Sequence, residues 1–177
     1  MEALIFDTET SGLVRNRTLK LDKQPEIIEF YGCVVNLKTG KIKKEYETLI
    51  KPKKPIEEII TKITTITNEQ LEDAPPFAKV AKPIKTFLES GKVVIAHNMS
   101  FDKDMVDIEF ERMEDKVKWP KMLCTVEQTI HIKGFRFSLS ALHDHLFGEP
   151  FAGAHRAKVD VAALLRCCVK LHKDGVL

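Results

Sequence analysis

An apolar run near the start of the chain, Ala3-Leu4-Ile5-Phe6, leads directly into Asp7-Thr8-Glu9 and a turn-like Thr10-Ser11-Gly12. A run this short, closed by turn residues, predicts a buried central strand. Alternate side chains of a strand share a face, so Asp7 and Glu9 point the same way, roughly 6.5–7 Å apart along the backbone. Like charges at the rim of a buried sheet repel each other, and both acids acquire raised pKa values. A divalent cation with oxygen ligands relieves the conflict. The first expectation is a metal site at the end of a central strand.

The remaining composition bounds the class. At 177 residues the chain predicts one domain over residues 1–177, able to bury about 70% of its unfolded surface. With 44% apolar and 31% charged residues it reads as an ordinary globular protein. No apolar stretch approaches the roughly 18 residues of a membrane span, and the N-terminus enters a strand at once, so neither membrane contact nor a signal peptide is expected. Cys33, Cys124, Cys167 and Cys168 form no Cys-x-x-Cys pair, which argues against zinc and against a disulfide framework. Free thiols in apolar segments suit a reducing, cytoplasmic setting. The net charge is only +2, yet Lys38, Lys41, Lys43, Lys44, Lys51, Lys53 and Lys54 crowd one region. Lysines there read first as protection of a hairpin edge and second as attraction for nucleic acid.

Along the chain, Arg15 to Gln24 is a polar, basic loop. Glu26 to Leu37 predicts a second strand, Lys38-Thr39-Gly40 a turn, and Lys41 to Ile50 a third strand ended by Pro52 and Pro55. Helical spacing runs from Pro76 to Ser90, with Gly91 as a stop, and Val93 to Ala96 is a short buried strand. From Ser100, the steps Val106, Phe110, Met113 and Val117 predict a helix whose other face (Lys103, Asp104, Glu109, Arg112, Glu114) is solvated. Met122 to Cys124 predicts a last strand, and Ser138–Leu146 and His155–Leu171 predict helices. Strands, a hairpin, then alternating helix and strand favour an α/β domain with a mixed sheet.

Two further segments bear on chemistry. His97-Asn98-Met99-Ser100-Phe101-Asp102 sets an acid in the first turn of a helix after a buried strand, which ordinary capping and dipole effects also favour. His155-Arg156-Ala157-Lys158-Val159-Asp160 sets a histidine and an acid at another helix start. Strand ends in α/β sheets converge on one crevice, and Asp160 on a neighbouring helix completes an oxygen-rich ligand set for two Mg²⁺ ions.

Read together, Asp7-Thr8-Glu9-Thr10-Ser11-Gly12-Leu13, His97-Asn98 with Phe101-Asp102, and His155 through Asp160 resemble the three motifs of the DEDDh 3′–5′ exonucleases, a family that includes the proofreading epsilon subunit of bacterial DNA polymerase III. Ile27-Ile28-Glu29, Ile66-Thr67 with Leu71, Ala74-Pro75, Cys124-Thr125 and Ser138-Leu139 with Leu142 fit the same pattern in order, so the resemblance covers nearly the whole chain. It implies a ribonuclease H-like fold with a five-stranded mixed sheet flanked by helices. It implies a catalytic set of Asp7, Glu9, Asp102, His155 and Asp160, with the four acids holding two Mg²⁺ (or Mn²⁺) ions and His155 acting as general base. The reaction implied is hydrolysis from the 3′ end of mainly single-stranded DNA, releasing nucleoside 5′-monophosphates. Thr8, Thr10, Leu13, His97, Asn98 and Phe101 fall at positions implied to meet the substrate, Leu13 as an apolar wedge beside the terminal base. Gly153 and its small neighbours predict a loop around His155 that orders on substrate binding.

The chain departs from the family at Thr64-Thr65, where His-Gly often precedes Ile-Thr. It ends soon after the last helix, so a stable polymerase partner is not implied. Two alternatives stand beside the DNA exonuclease: a 3′–5′ exoribonuclease similar to oligoribonuclease or ribonuclease T, and a non-catalytic binding module that kept the fold. Retention of all five polar residues argues against the second.

Overall fold

The computed structural model describes residues 1–14 and 16–177. Strands β1 (Glu2–Thr10), β2 (Ile27–Asn36) and β3 (Lys41–Leu49) are followed by helices α1 (Glu58–Thr64), α2 (Asn68–Glu72) and α3 (Phe77–Glu89). Then come β4 (Val93–Ala96), α4 (Met99–Glu111), β5 (Lys121–Cys124), α5 (Thr125–Lys133), α6 (Leu139–Phe147) and α7 (Ala157–Lys173). The sheet has five strands in the order β3-β2-β1-β4-β5. The hairpin strands run antiparallel to their neighbours, while β1, β4 and β5 are parallel. This is the mixed sheet of a ribonuclease H-like α/β fold.

Strand alternation divides the core. Leu4 and Phe6 of β1 join Phe30, Val94, Phe87 of α3 and Phe110 of α4 on one face. Ala3 and Ile5 join Cys33, Val35 and Ile95 against Val161, Leu164 and Cys168 of α7 on the other. Asp7 and Glu9 continue the second set, so both lie on the face that α7 covers. All four cysteines are buried and free.

β1 carries Asp7 and Glu9 within it, as expected, and its antiparallel pairing with β2 runs on to Thr10. Pairing with β4, by contrast, is recorded only at Leu4 and Ile5. The acids therefore sit within β1, where it outruns β4. Helix α4 ends at Glu111, so Met113 and Val117 lie beyond it, though Val117 still packs into the core. Its expected solvated face is also corrected. Glu109 and Arg112 are buried partners (3.0 Å), the Arg112 guanidinium donates to the carbonyls of Leu21, Gln24 and Pro25, and Glu109 accepts from the Ile27 amide. That pair latches the 16–25 loop onto α4, and Arg17 adds a surface pair with Glu111. Of the basic residues expected in this loop, Arg15 lies outside the described residues.

Thr65, standing where the family often has glycine, caps α1 in the left-handed region at φ 62°. A β-branched residue is strained there. Thr65→Gly should therefore stabilise the protein by about 1 kcal/mol, seen as a Tm rise of about 2–4 °C. An unchanged or lower Tm would contradict the strain.

Candidate active site

Where β4 falls away, the free edge of β1 needs a new partner. The first turn of α4 supplies it: Asp102 Oδ1 accepts from the Thr8 backbone amide (3.0 Å) and from the Thr8 hydroxyl (2.8 Å). Asp102 is buried, at 2% exposure. An unpaired strand amide thus fixes one acid from α4 beside the two acids of β1.

From the opposite direction comes the start of α7. Ligand atoms of Glu9, His155 and Asp160 all lie within 4.8 Å of one another. Asp160 Oδ2 accepts the backbone amide of His155 (2.8 Å), and His155 itself is held in a left-handed conformation, φ 69°. The side chain of His155 is exposed, whereas Glu9 and Asp160 are largely buried.

The electrostatics follow from crowding. Burial, then the nearby Asp102 and Asp160 charges, push the Asp7 carboxyl well above its ordinary range. Burial and the Asp160 charge push Glu9 up to about 8. Burial raises Asp102 to about 7 against the opposing pull of its two Thr8 hydrogen bonds, and raises Asp160 against the His155 amide. Among the described residues, none of these four acids is paired with a lysine or arginine. A buried, oxygen-only donor set with unbalanced negative charge fits hard divalent cations.

Sequence reasoning gave no role to the pair that fastens α7 here. Glu29, directly opposite Glu9 in the β1–β2 register, is 1% exposed. Arg156 grips it with Nε at 3.2 Å from each oxygen and Nη2 at 2.7 Å, and the Ala157 amide donates to it at 2.8 Å. The signal was legible: a single acid within the buried strand Ile27-Ile28-Glu29-Phe30 demands a cation or several donors. Because Arg156 lies between His155 and α7, the grip sets the reach of both His155 and Asp160. Arg156→Ala strands a buried carboxylate and should cost about 3 kcal/mol, the low end for such pairs because Arg156 is 35% exposed. Chemical denaturation measures it, and a cost under about 1 kcal/mol would contradict the clamp.

The residues expected to meet substrate divide. Leu13 projects into solvent at 73% exposure, and Phe101 is partly buried against the core. Asn98 adopts φ 62° ahead of α4 and accepts from Arg136 (3.0 Å). His97, however, is engaged internally. Its ring lies 2.9 Å from the Thr125 hydroxyl and 3.0 Å from the Phe137 carbonyl, and burial lowers its pKa to about 4. Neutral His97 donates from Nε2 to that carbonyl and pins the α5–α6 loop. The Thr8 hydroxyl is spent on Asp102, and that of Thr10 on the Gly12 carbonyl (2.7 Å), so these side chains also build the site from within.

The family model described as exonuclease (RNase_T) matches residues 4–167, spanning every one of these groups. The chain belongs to the exonuclease family. The DEDDh resemblance of its three motifs agrees with that membership. Among curated relatives of this exonuclease domain, the chain is 34% identical over 186 aligned residues to a PolC-type DNA polymerase III of Caldanaerobacter subterraneus, covering 99% of this chain and 12% of the relative. It is 30% identical over 129 residues to the epsilon subunit of DNA polymerase III of Buchnera aphidicola, covering 73% of this chain and 54% of that protein. The chain thus spans about an eighth of the first relative and about half of the second. Its fold is similar to the nuclease domain of 3′hExo, a DEDDh family member bound to rAMP, with TM-score 0.81, 18% identity, and coverage of 98% of this chain and 92% of that one. Among the described residues, no helix is long and apolar enough to cross a membrane.

Proposed function

We propose that residues 1–177 act as one metal-dependent 3′–5′ exonuclease domain, removing nucleoside 5′-monophosphates from the 3′ end of mainly single-stranded DNA. The observation that carries this reading is the convergence of Glu9, His155 and Asp160 within 4.8 Å, beside the mutually destabilised Asp7 and Asp102. The family membership supplies the reaction class. The DNA polymerase names of the curated relatives support DNA as substrate and a replication or repair setting.

Asp7, Glu9, Asp102 and Asp160 would hold two divalent cations, Mg²⁺ or Mn²⁺, with Asp7 central to both. When bound, the ions supply an activated water and neutralise the charge that develops on the departing 3′ oxygen. His155 removes the proton from the attacking water, a task suited to an imidazole at neutral pH. Thr8 holds Asp102 in register, and the Arg156–Glu29 grip holds His155 and Asp160. Exposed Leu13 wedges against the terminal base, while Phe101 and Asn98 line the approach.

The test is digestion of 5′-labelled single strands, DNA beside RNA, with and without chelator. Shortening from the 3′ end, faster on DNA and stopped by EDTA, is the expected outcome. Full cleavage in excess EDTA would end the metal reading. Faster attack on RNA would favour the second reading, an exoribonuclease, which the rAMP-bound fold neighbour keeps in view.

A further inference from the structure

The loop between α5 and α6 reaches the rim of this site without belonging to it. Two polar contacts dock it: the His97 ring on the Phe137 carbonyl (3.0 Å) and the Arg136 guanidinium on Asn98 (3.0 Å). Asn98 immediately precedes the helix that presents Asp102, so the loop borders the acid cluster. The run His131-Ile132-Lys133-Gly134-Phe135-Arg136-Phe137 contains no acid. Phe137 is buried beneath it, but Phe135 remains 53% exposed, its ring 5.1 Å from Phe137. Lys133 leans over the Phe137 ring, 5.9 Å from its centroid, and Arg136 is exposed and forms no ion pair among the described residues. Nothing lies within 4 Å of where a Cβ would stand on Gly134, so the surface above the loop is open.

We propose that Lys133, Phe135 and Arg136 form a platform that binds the single strand upstream of the nucleotide being removed. Non-specific recognition of single strands combines an aromatic face on which a base stacks with cations that follow the backbone, and this loop has both beside the site. Arg136 keeps further N–H donors after its bond to Asn98, enough to meet a phosphate. The internal grip by His97 makes the platform rigid, so little ordering accompanies binding. The inference rests on the exonuclease reading and adds to it the strand's path away from the acids.

The experiment compares the wild type with Phe135→Ala and with the double variant Lys133→Ala/Phe135→Ala. Binding of fluorescein-labelled oligo-thymidylates of twelve and of three nucleotides is read by anisotropy in EDTA, where cleavage is suppressed. Turnover of the p-nitrophenyl ester of thymidine 5′-monophosphate, which has no upstream strand, is read with Mn²⁺. The double variant should bind the long strand about tenfold more weakly. Three-nucleotide binding and ester turnover should stay within about twofold. Unchanged long-strand binding overturns the platform, as does a parallel loss on all three substrates. A wild type that turns over neither ester nor strand defeats the exonuclease reading instead, and the long-to-short binding ratio still decides the platform.

Discussion

Asp7→Asn should abolish hydrolysis while making the metal-free protein more stable. The loss is expected to be at least about 10³-fold, since cation-stabilised charge is worth several kcal/mol and each factor of ten corresponds to about 1.4 kcal/mol. The gain comes from the same crowding. Asp7 is raised well above the ordinary carboxylate range by burial and by Asp102 and Asp160. An asparagine amide at this position has no charge to oppose burial or the neighbouring Asp102, Asp160 and Glu9 carboxylates, so that cost disappears.

The sign of the pH dependence follows. In the unfolded chain these acids ionise near 4, whereas the folded protein keeps protons on Asp102 up to about 7 and on Glu9 up to about 8. Between those limits the folded state binds more protons than the unfolded one, so its contribution to stability falls as pH rises. Metal-free wild type should therefore lose Tm from pH 5 to pH 8. Asp7→Asn should lessen that slope, and saturating Mg²⁺ should flatten it by replacing the protons. Thermal melts in EDTA across this range measure the effect. A wild-type Tm that climbs toward pH 8 would show that the acids do not repel one another in the folded protein.

His155→Ala should slow single-turnover cleavage by about 10²–10⁴-fold, the usual contribution of a positioned general base. The spacing offers a competing role, because a ring nitrogen of His155 is close enough to Glu9 and Asp160 to share an ion with them. Mg²⁺ prefers oxygen ligands, which favours the base. Magnesium titration separates the two roles. The half-saturating concentration should shift by no more than about threefold if His155 only moves a proton, and added imidazole should restore part of the rate. A variant with full turnover, or one whose defect vanishes at high Mg²⁺, would remove His155 from the proton-transfer step.

Much of this architecture could be read from residue order. β2 and β3 declare themselves by β-branched and aromatic content around Lys38-Thr39-Gly40, and α3 and α7 by apolar residues at helical spacing. Helices α1, α2 and α5 escaped because each is short and buries few residues, so no apolar stripe develops. For α2 a local signal existed in Thr67 and Gln70, whose reciprocal capping bonds start the helix. Glu109 and Arg112 were misjudged for a different reason. Helical spacing identifies a polar face but does not reveal that another segment, here Leu21 to Pro25, will fold over it.

The candidate site divides along the same line. Asp7, Glu9, Asp102, His155 and Asp160 stand in three short motifs singled out by their resemblance to the DEDDh pattern: Asp7 and Glu9 share a face of β1, Asp102 lies in the first turn of α4, and His155 just precedes α7, whose first turn carries Asp160. Whether those motifs meet depends on contacts between residues nearly a hundred or more positions apart. Thr8 on Asp102 and Arg156 on Glu29 are such contacts, and His97 on the Phe137 carbonyl, forty positions away, anchors a loop beside them. Local sequence determines backbone periodicity and side-chain chemistry. Only the folded chain decides which buried polar atom finds which partner, because that choice is made by desolvation across elements distant in sequence.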